Sequence, residues 1–172
     1  MKLHQILAAA AILLFTSACT GLPNGVKPVR DFNLKGYLGT WYEIGRLDHS
    51  FERGLEKVSA EYSLAEDGSI KVVNRGYSTI KNNWSEAVGR AVPVGDPDIA
   101  HLKVSFFGPF YGSYCVFELD PGGQYAFVSG ANHGYLWLLA RKPVVSDKVW
   151  NKFIERGTEL GFKMDEIIRV KH

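Results

Sequence analysis

The sequence predicts an all-β fold: an eight-stranded antiparallel up-and-down barrel, with one C-terminal α-helix packed outside it and a short final strand. Three observations predict this fold. Eight apolar stretches of strand length follow one another after residue 39, separated by short turns rich in Gly, Pro, Asp and Asn. Apolar and polar residues alternate along several of these stretches, as they do along strands with one buried face. A segment with helical spacing of apolar residues follows the last stretch.

The turns between the predicted strands favour tight or left-handed backbone. A Glu-Asp-Gly turn at 66–68 joins the second and third strands, and an Asp-Pro-Gly-Gly turn at 120–123 joins the sixth and seventh. Consecutive strands with short turns are most simply arranged as a meander, and closing it into a barrel removes both exposed edges. The predicted strands span residues 40–47, 57–64, 70–78, 84–92, 102–107, 113–119, 125–129 and 135–140.

Alternation along the strands predicts an apolar barrel interior. In the fifth strand, Leu102, Val104 and Phe106 share the face opposite Lys103 and Ser105. A barrel of eight strands can be filled by its own side chains or can hold one small ligand. On the residues alone, a hollow pocket and a filled core are equally compatible with this pattern.

One helix is predicted after the barrel. Ser146 is its expected N-cap, and Asp147 suits the positive end of the helix dipole. Its apolar residues are expected to face the outer wall of the barrel, and Gly161 ends the pattern. These apolar residues are Val149, Trp150, Phe153, Ile154 and Leu160. Residues 167–170 are predicted to form the final strand or an extended tail.

Composition excludes several classes of protein. A chain of 172 residues has the size of a single domain, and its net charge of +2 is spread without a basic run, which predicts no nucleic-acid partner. The histidines lie apart from any Cys or acidic ligand at metal spacing, and there is no phosphate loop or nucleophile elbow. The sequence therefore predicts no metal, no cofactor and no enzymatic activity.

The amino terminus has the pattern of an export signal. Lys2 precedes an apolar stretch at 6–15, and small residues at 16–18 precede Cys19. This pattern is typical of a lipobox and predicts a signal peptide at 1–18, lipidation of Cys19, a flexible tether within 19–34 and a folded domain at 35–172. Thr16 stands where a lipobox usually has an aliphatic residue, so ordinary signal cleavage nearby is the alternative. Thr20 is not the Asp of an inner-membrane retention signal, which favours the outer membrane.

Cys115 is the only other cysteine, so a lipidated Cys19 leaves no partner for an internal disulfide. It lies in an apolar strand, and an unpaired Cys in such a setting most often behaves as a small buried hydrophobe. Catalysis by its thiol is the alternative interpretation.

Two segments resemble a known family. Residues 39–44 (Gly-Thr-Trp-Tyr-Glu-Ile) open the first strand, and residues 135–141 (Tyr-Leu-Trp-Leu-Leu-Ala-Arg) end the eighth. A Trp two residues after a Gly, with a late Arg whose guanidinium can lie across the indole, resembles the lipocalin signature. The resemblance implies that Gly39, Trp41 and Arg141 close the base of the barrel. Segments 51–57 and 103–112 resemble the bacterial outer-membrane branch of this family, which is related to apolipoprotein D.

The resemblance implies a function as well as a fold. Its members bind lipophilic molecules, and the bacterial branch implies a fatty acid or lysophospholipid as partner and an outer-membrane anchor facing the periplasm. The predicted ligand-binding residues are Tyr62, Val72, Asn74, Val104, Phe106 and Trp137. A further hypothesis is that cationic residues at the mouth bind an anionic head group of the ligand. These residues are Arg46, Arg53, Lys57 and Arg75.

Two points stay open. The aromatic segment 107–111 either contacts the membrane, joins a second subunit in a homodimer, or folds inward as a lid. The protein is a carrier by this reasoning, with an esterase or isomerase that uses Cys115 as the first alternative. A structural lipoprotein with a filled barrel is the second.

Overall fold

The computed structural model describes residues 20–172, so the predicted signal peptide and Cys19 lie outside the described chain. The strands are β1 Gly39–Arg46, β2 Leu55–Leu64, β3 Ile70–Ser78, β4 Asn83–Pro93, β5 His101–Phe107, β6 Phe110–Leu119, β7 Tyr125–Ser129, β8 Leu136–Ala140 and β9 Ile168–Arg169. The helices are α1 Leu34–Tyr37 and α2 Asp147–Glu159, and a 3-10 turn spans Met164–Glu166.

The first eight strands form a closed antiparallel barrel. Each pairs with its neighbour in the sequence, and β1 pairs with both β2 and β8, which closes the sheet. β9 pairs with the end of β1 outside the barrel. The predicted fold class is confirmed. We call the end at the start of β1 the base, and the end at the 47–54 loop, which joins β1 to β2, the mouth.

Two apolar clusters lie on the two sides of the barrel wall. One fills the lower interior and includes Trp41, Val72, Leu102 and Val128. The other lies between the wall and α2, where Phe153 is fully buried against the outer face. The Ser146 side chain caps α2 by accepting a hydrogen bond from the Val149 backbone N–H. Burial of its apolar stripe therefore holds α2 on the outer wall, as the helical spacing predicts.

The described chain before β1 is packed rather than free. Val26 and Phe32 are buried, and Leu22 and Val29 pack against the two clusters. The tether predicted within residues 19–34 is therefore not free over its described part, because its apolar side chains pack on the barrel. α1 was also not predicted, and the side chain of Asn33 caps it by accepting from the Gly36 N–H at 3.2 Å.

Strand boundaries differ from the expectation at the mouth. β6 begins at Phe110 rather than at residue 113, and Phe107 pairs with Phe110 across a two-residue turn. The aromatic segment 107–111 therefore belongs to a hairpin and is not a separate loop. Within residues 20–172, no helix is long and apolar enough to cross a membrane.

Candidate functional site in the barrel interior

A clasp of three elements closes the base. The Arg141 guanidinium carbon lies 3.9 Å from the centre of the Trp41 ring, which is fully buried. Arg141 donates to the backbone carbonyls of Gly36, Tyr37 and Thr40 at 2.8, 3.2 and 2.9 Å. The Trp41 indole N–H also donates to the Tyr37 carbonyl at 2.8 Å. The end of β8 thereby ties α1 to the first strand across the bottom of the barrel.

Gly39 gives this clasp the room it needs. Its backbone has φ +94°, which L side chains rarely adopt, and a Cβ there would lie 3.4 Å from Arg141 Nη1. A side chain at this position would therefore strain the turn that joins α1 to β1.

Three tyrosine hydroxyls form a chain above the base. The Tyr114 hydroxyl lies 2.7 Å from that of Tyr37 and accepts from that of Tyr62 at 3.0 Å. Burial raises the pKa of all three groups, so each stays a neutral donor and acceptor. The interior therefore holds satisfied polar groups between its aromatic rings.

A buried Arg–Glu hydrogen bond lies higher in the interior, towards the mouth. Arg46 Nη1 donates to a Glu43 carboxylate oxygen at 2.6 Å, and both side chains are almost fully buried. Arg46 Nη2 donates to the backbone carbonyls of Glu52 and Leu55 at 3.0 and 3.2 Å. Arg46 thus joins the end of β1 to the 47–54 loop and to the start of β2.

The two carboxyl groups beside Arg46 interact strongly. Burial, followed by the negative charge of Glu52, raises the pKa of Glu43 well above its ordinary value. The positive charge of Arg46 acts in the opposite direction and does not cancel these effects. We conclude that Glu43 holds a proton well above the usual range of a carboxyl group, which relieves its repulsion with Glu52.

The 47–54 loop crosses the mouth beside Trp137. The Trp137 indole N–H donates to Glu52 Oε2 at 3.1 Å. His49 Nε2 is 3.0 Å from the same oxygen, without the angles of a hydrogen bond. The His49 ring stacks on Phe51 at 4.0 Å and lies 5.2 Å from the Trp137 ring. Because these rings pack together, the loop is held against the upper interior.

The predicted ligand-binding residues share the inner face of the barrel. Tyr62 is opposite Val72 across the β2–β3 ladder, and Asn74 is the next inward residue along β3. Val104, Phe106 and Trp137 pack against the same interior cluster. The Asn74 side-chain oxygen is buried and has no hydrogen-bond partner among the residues that the structure describes.

The barrel wall has an opening near the mouth. β4 pairs with β5 only over residues 90–93 in the described chain, so the first half of β4 has a free edge. Residues 83–88 are exposed on both faces, including Ala87, which pairs with Asn74 and shares its inward face. The Phe106 ring covers Gly89, where a Cβ would lie 2.8 Å from ring carbons. Solvent therefore reaches the inner face between β4 and the β5–β6 hairpin.

The predicted cationic residues do not form one site. Arg46 lies inside the barrel, where it donates to Glu43 and to two backbone carbonyls. Arg53 pairs with Asp48, and Arg75 pairs with Glu86 at 2.7 Å and lies 3.8 Å from Glu61. Lys57 lies 5.9 Å from the centre of the Tyr77 ring. Three of the four cations therefore already have acidic partners in the protein.

Cys115 lies on the other side of the wall. It belongs to the cluster under α2 and is fully buried. Burial raises the pKa of its thiol to about 12, and the neighbouring Ser129 side chain only partly opposes this shift. The Cys115 thiol is therefore unreactive, and its side chain faces away from the barrel interior.

Four interior residues were missed by sequence reasoning: Tyr37, Glu43, Glu52 and Tyr114. The sequence pattern indicates an inward position for two of them. Strand alternation that starts from Trp41 places Glu43 inside the barrel, and alternation along β6 places Tyr114 on the inner face as well. Tyr37 and Glu52 belong to α1 and to the 47–54 loop, for which periodicity gives no orientation.

Other surface features lie away from this site. A depression of about 560 Å³ is found at the base beside α1, and a second of about 440 Å³ lies against the β3 and β4 chains outside the barrel. In the part of the chain that the structure covers, no three His, Cys, Asp or Glu residues are grouped to hold a metal ion.

Comparison with known sequences identifies the family. A family model described as a lipocalin-like domain matches residues 32–172. The outer membrane lipoprotein Blc of Vibrio cholerae is 56% identical over 156 residues, covering 90% of this chain and 91% of that protein. The outer membrane lipoprotein Blc of Escherichia coli K12 is 46% identical, covering 99% of this chain and 98% of that protein. Apolipoprotein D of Rattus norvegicus is 34% identical over 67% of this chain and 65% of its own length.

Solved structures agree on the fold. Insecticyanin from the tobacco hornworm Manduca sexta superimposes with a TM-score of 0.71 at 20% identity, covering 88% of this chain and 87% of that one. Lobster apocrustacyanin A1 superimposes with a TM-score of 0.66 at 17% identity, covering 87% of this chain and 92% of that one. At these identities the likeness concerns the architecture of barrel and helix alone. The sequence match and the closed barrel together lead to one conclusion: this chain belongs to the lipocalin family.

Proposed function

We propose that this protein is a carrier that binds one lipophilic molecule by reversible burial in the barrel. The proposed ligand is a fatty acid or lysophospholipid of the cell envelope. One observation carries the proposal: an apolar and aromatic inner face that solvent reaches through an opening beside β4. This combination suits an acyl chain that must enter and leave.

The energetics of burial support the proposal. Removing an acyl chain from water yields about 0.8 kcal/mol per methylene, so a segment of about ten carbons gains roughly 8 kcal/mol before immobilisation is subtracted. Phe106 supplies apolar surface beside the opening, and Val104 and Trp137 are partly exposed apolar residues of the same interior cluster. Useful affinity therefore needs no covalent chemistry.

Polar groups near the opening would orient the ligand. The unpartnered Asn74 oxygen is an acceptor beside the opening, suited to a hydroxyl or amine of the ligand. Arg46 already donates to Glu43 and to two carbonyls, so an anionic head group would have to displace these partners. We therefore expect the head group to stay at the mouth, in contact with water.

The envelope location belongs to the same proposal. Relatives that match over nearly their whole length are named outer membrane lipoproteins. By this likeness, residues 1–18 act as a signal peptide, Cys19 carries the lipid anchor at the outer membrane facing the periplasm, and residues 35–172 form the lipocalin domain. Measurement of the intact mass of the mature protein tests the acylation of Cys19.

A carrier is favoured over an enzyme. The alternative esterase or isomerase would need a nucleophile in the barrel, and the Cys115 thiol lies under α2 with a raised pKa. His101 Nε2 is 2.9 Å from Ser113 Oγ, but strand alternation directs this pair to the outer face. Neither group contacts the proposed ligand site.

Displacement of a fluorescent fatty acid from the purified protein tests the proposal. Trp137→Ala removes a wall of the site and is expected to weaken binding roughly tenfold, equivalent to about 1.4 kcal/mol. Trp137→Phe keeps the aromatic wall but loses the hydrogen bond to Glu52, so it separates the two roles. Trp150→Ala is the control, because Trp150 belongs to α2 and packs against the outer wall of the barrel. Equal affinity of wild type and Trp137→Ala would contradict the proposed site, and no binding by wild type would favour a filled barrel.

A further inference from the structure

Large apolar side chains are exposed at the mouth. Their exposed fractions run from 60% to 82%, which is unusual for aromatic residues on a monomer. They come from the 47–54 loop, the β3–β4 hairpin and the β5–β6 hairpin. We call these five residues the mouth rim: Phe51, Ile80, Trp84, Phe107 and Phe110.

A contact joins two of the segments that carry the rim. The Thr79 hydroxyl donates to the Gly54 carbonyl at 3.1 Å, and a Cβ on Gly54 would lie 3.0 Å from the Ile80 side chain. The end of the 47–54 loop therefore lies against the β3–β4 turn at Ile80.

Two arginines near the rim have acidic partners. Arg53 pairs with Asp48 in the 47–54 loop, and Arg75 pairs with Glu86 beside the free edge of β4. Pairing lowers the cost of bringing such groups to a surface of low polarity. Aromatic residues with polar neighbours are also typical of the interface between lipid and water.

The described chain enters the fold at the same end of the barrel. His133 lies in the β7–β8 turn at the mouth, and its Nε2 is 2.9 Å from the Leu160 carbonyl oxygen. Gly25 lies beside Leu160, since a Cβ on Gly25 would be 3.5 Å from its side chain. Five residues lie between Cys19 and Gly25, which gives a reach of about 20 Å at most for a fully extended chain, and the packing of Leu22 on the fold shortens it.

From these observations we infer that the mouth rim docks on the lipid bilayer to which Cys19 is anchored, so that the barrel opens towards the membrane surface. The inference rests on the proposed lipid anchor, but it does not depend on which lipid the barrel binds. A short tether holds the mouth near the bilayer, and the rim supplies the apolar side chains that enter the interface. A ligand could then pass between membrane and barrel through the opening beside β4.

Depth-dependent quenching of a site-specific label tests this orientation. The acylated mature protein, with its acyl mass confirmed first, is reconstituted in vesicles of phosphatidylethanolamine and phosphatidylglycerol that carry spin-labelled acyl chains. A fluorophore is attached in Phe110→Cys, in Phe107→Cys, or in the control Gly122→Cys at the base. Cys115 should escape labelling because it is buried with a raised pKa. We expect several-fold stronger quenching, with a blue-shifted emission, for the two rim labels than for the base label.

Three results would overturn the inference. Equal quenching at rim and base would show that the barrel has no fixed orientation. Unquenched rim labels, together with disulfide-linked dimers of Phe110→Cys, would show that a second copy covers the rim, as in the predicted homodimer. A mature chain without acyl mass would remove the anchor and this inference with it, whereas the lipid-displacement assay would still report on the proposed carrier function.

Discussion

Replacing Arg141 with Met tests whether the clasp at the base stabilises the barrel. The change keeps an unbranched aliphatic chain but removes a guanidinium that lies 3.9 Å over Trp41 and donates to three backbone carbonyls. Each hydrogen bond contributes about 1 kcal/mol and the cation–π contact about 1 kcal/mol at a partly exposed site. Allowing for solvent that replaces some of these bonds, we expect the free energy of unfolding to fall by about 3 kcal/mol.

Equilibrium unfolding in urea, followed by circular dichroism, measures this change. Arg169→Met is the matched control, because the Arg169 guanidinium lies 4.4 Å from the centre of the Trp150 ring on the outer wall. Its loss should cost less than about 1 kcal/mol, as for other exposed cation–π pairs. If the two variants lose the same stability, Arg141 does not act as a structural clasp and the reasoning about the base is refuted.

Three further predictions concern the interior and the wall. Glu43 binds its proton more tightly in the folded protein than in the unfolded chain, so the free energy of unfolding should fall by up to about 1.4 kcal/mol per pH unit as the pH rises above the ordinary pKa of a Glu carboxyl. Glu43→Gln should flatten this pH dependence in urea unfolding measured at several pH values. An unchanged pH dependence would contradict the raised pKa of Glu43. Gly89→Ala should displace the Phe106 ring, because the added Cβ would lie 2.8 Å from ring carbons. We expect weaker binding of the fluorescent fatty acid and a free energy of unfolding lower by about 1–3 kcal/mol. Cys115 should react with a thiol reagent only after unfolding; rapid reaction in the folded protein would show that the thiol is accessible.

Much of the fold follows from local patterns that the sequence displays. Alternation along the strands and the turns between them predict the eight-stranded barrel, and apolar spacing after Ser146 predicts α2. These features are local, because each strand or turn is specified by residues within a short window. The lipocalin resemblance adds the expected pairing of Trp41 with Arg141, whose side chains are in contact in the structure.

The polar interior could not be predicted in the same way. A bulge between Glu43 and Gly45 in the β1–β8 ladder shifts the alternation, so Arg46 lies opposite Trp137 inside the barrel and not at the surface. Glu52 enters the interior from a loop, where the sequence gives no periodicity. α1 has only four residues, one of which is a Gly, so its sequence alone predicts no helix. Hydrogen bonds from Arg141 fix its position. These are tertiary effects that no single segment encodes.

Analysis of lipid bound to the purified protein tests the central claim most directly. The protein is released from its membrane without added fatty acid, exchanged into detergent-free buffer, and examined by native mass spectrometry with lipid identification after extraction. The carrier account predicts one fatty acid or lysophospholipid per barrel in wild type and a reduced amount in Trp137→Ala. A barrel that carries no lipid and takes up none when fatty acid is supplied would contradict it.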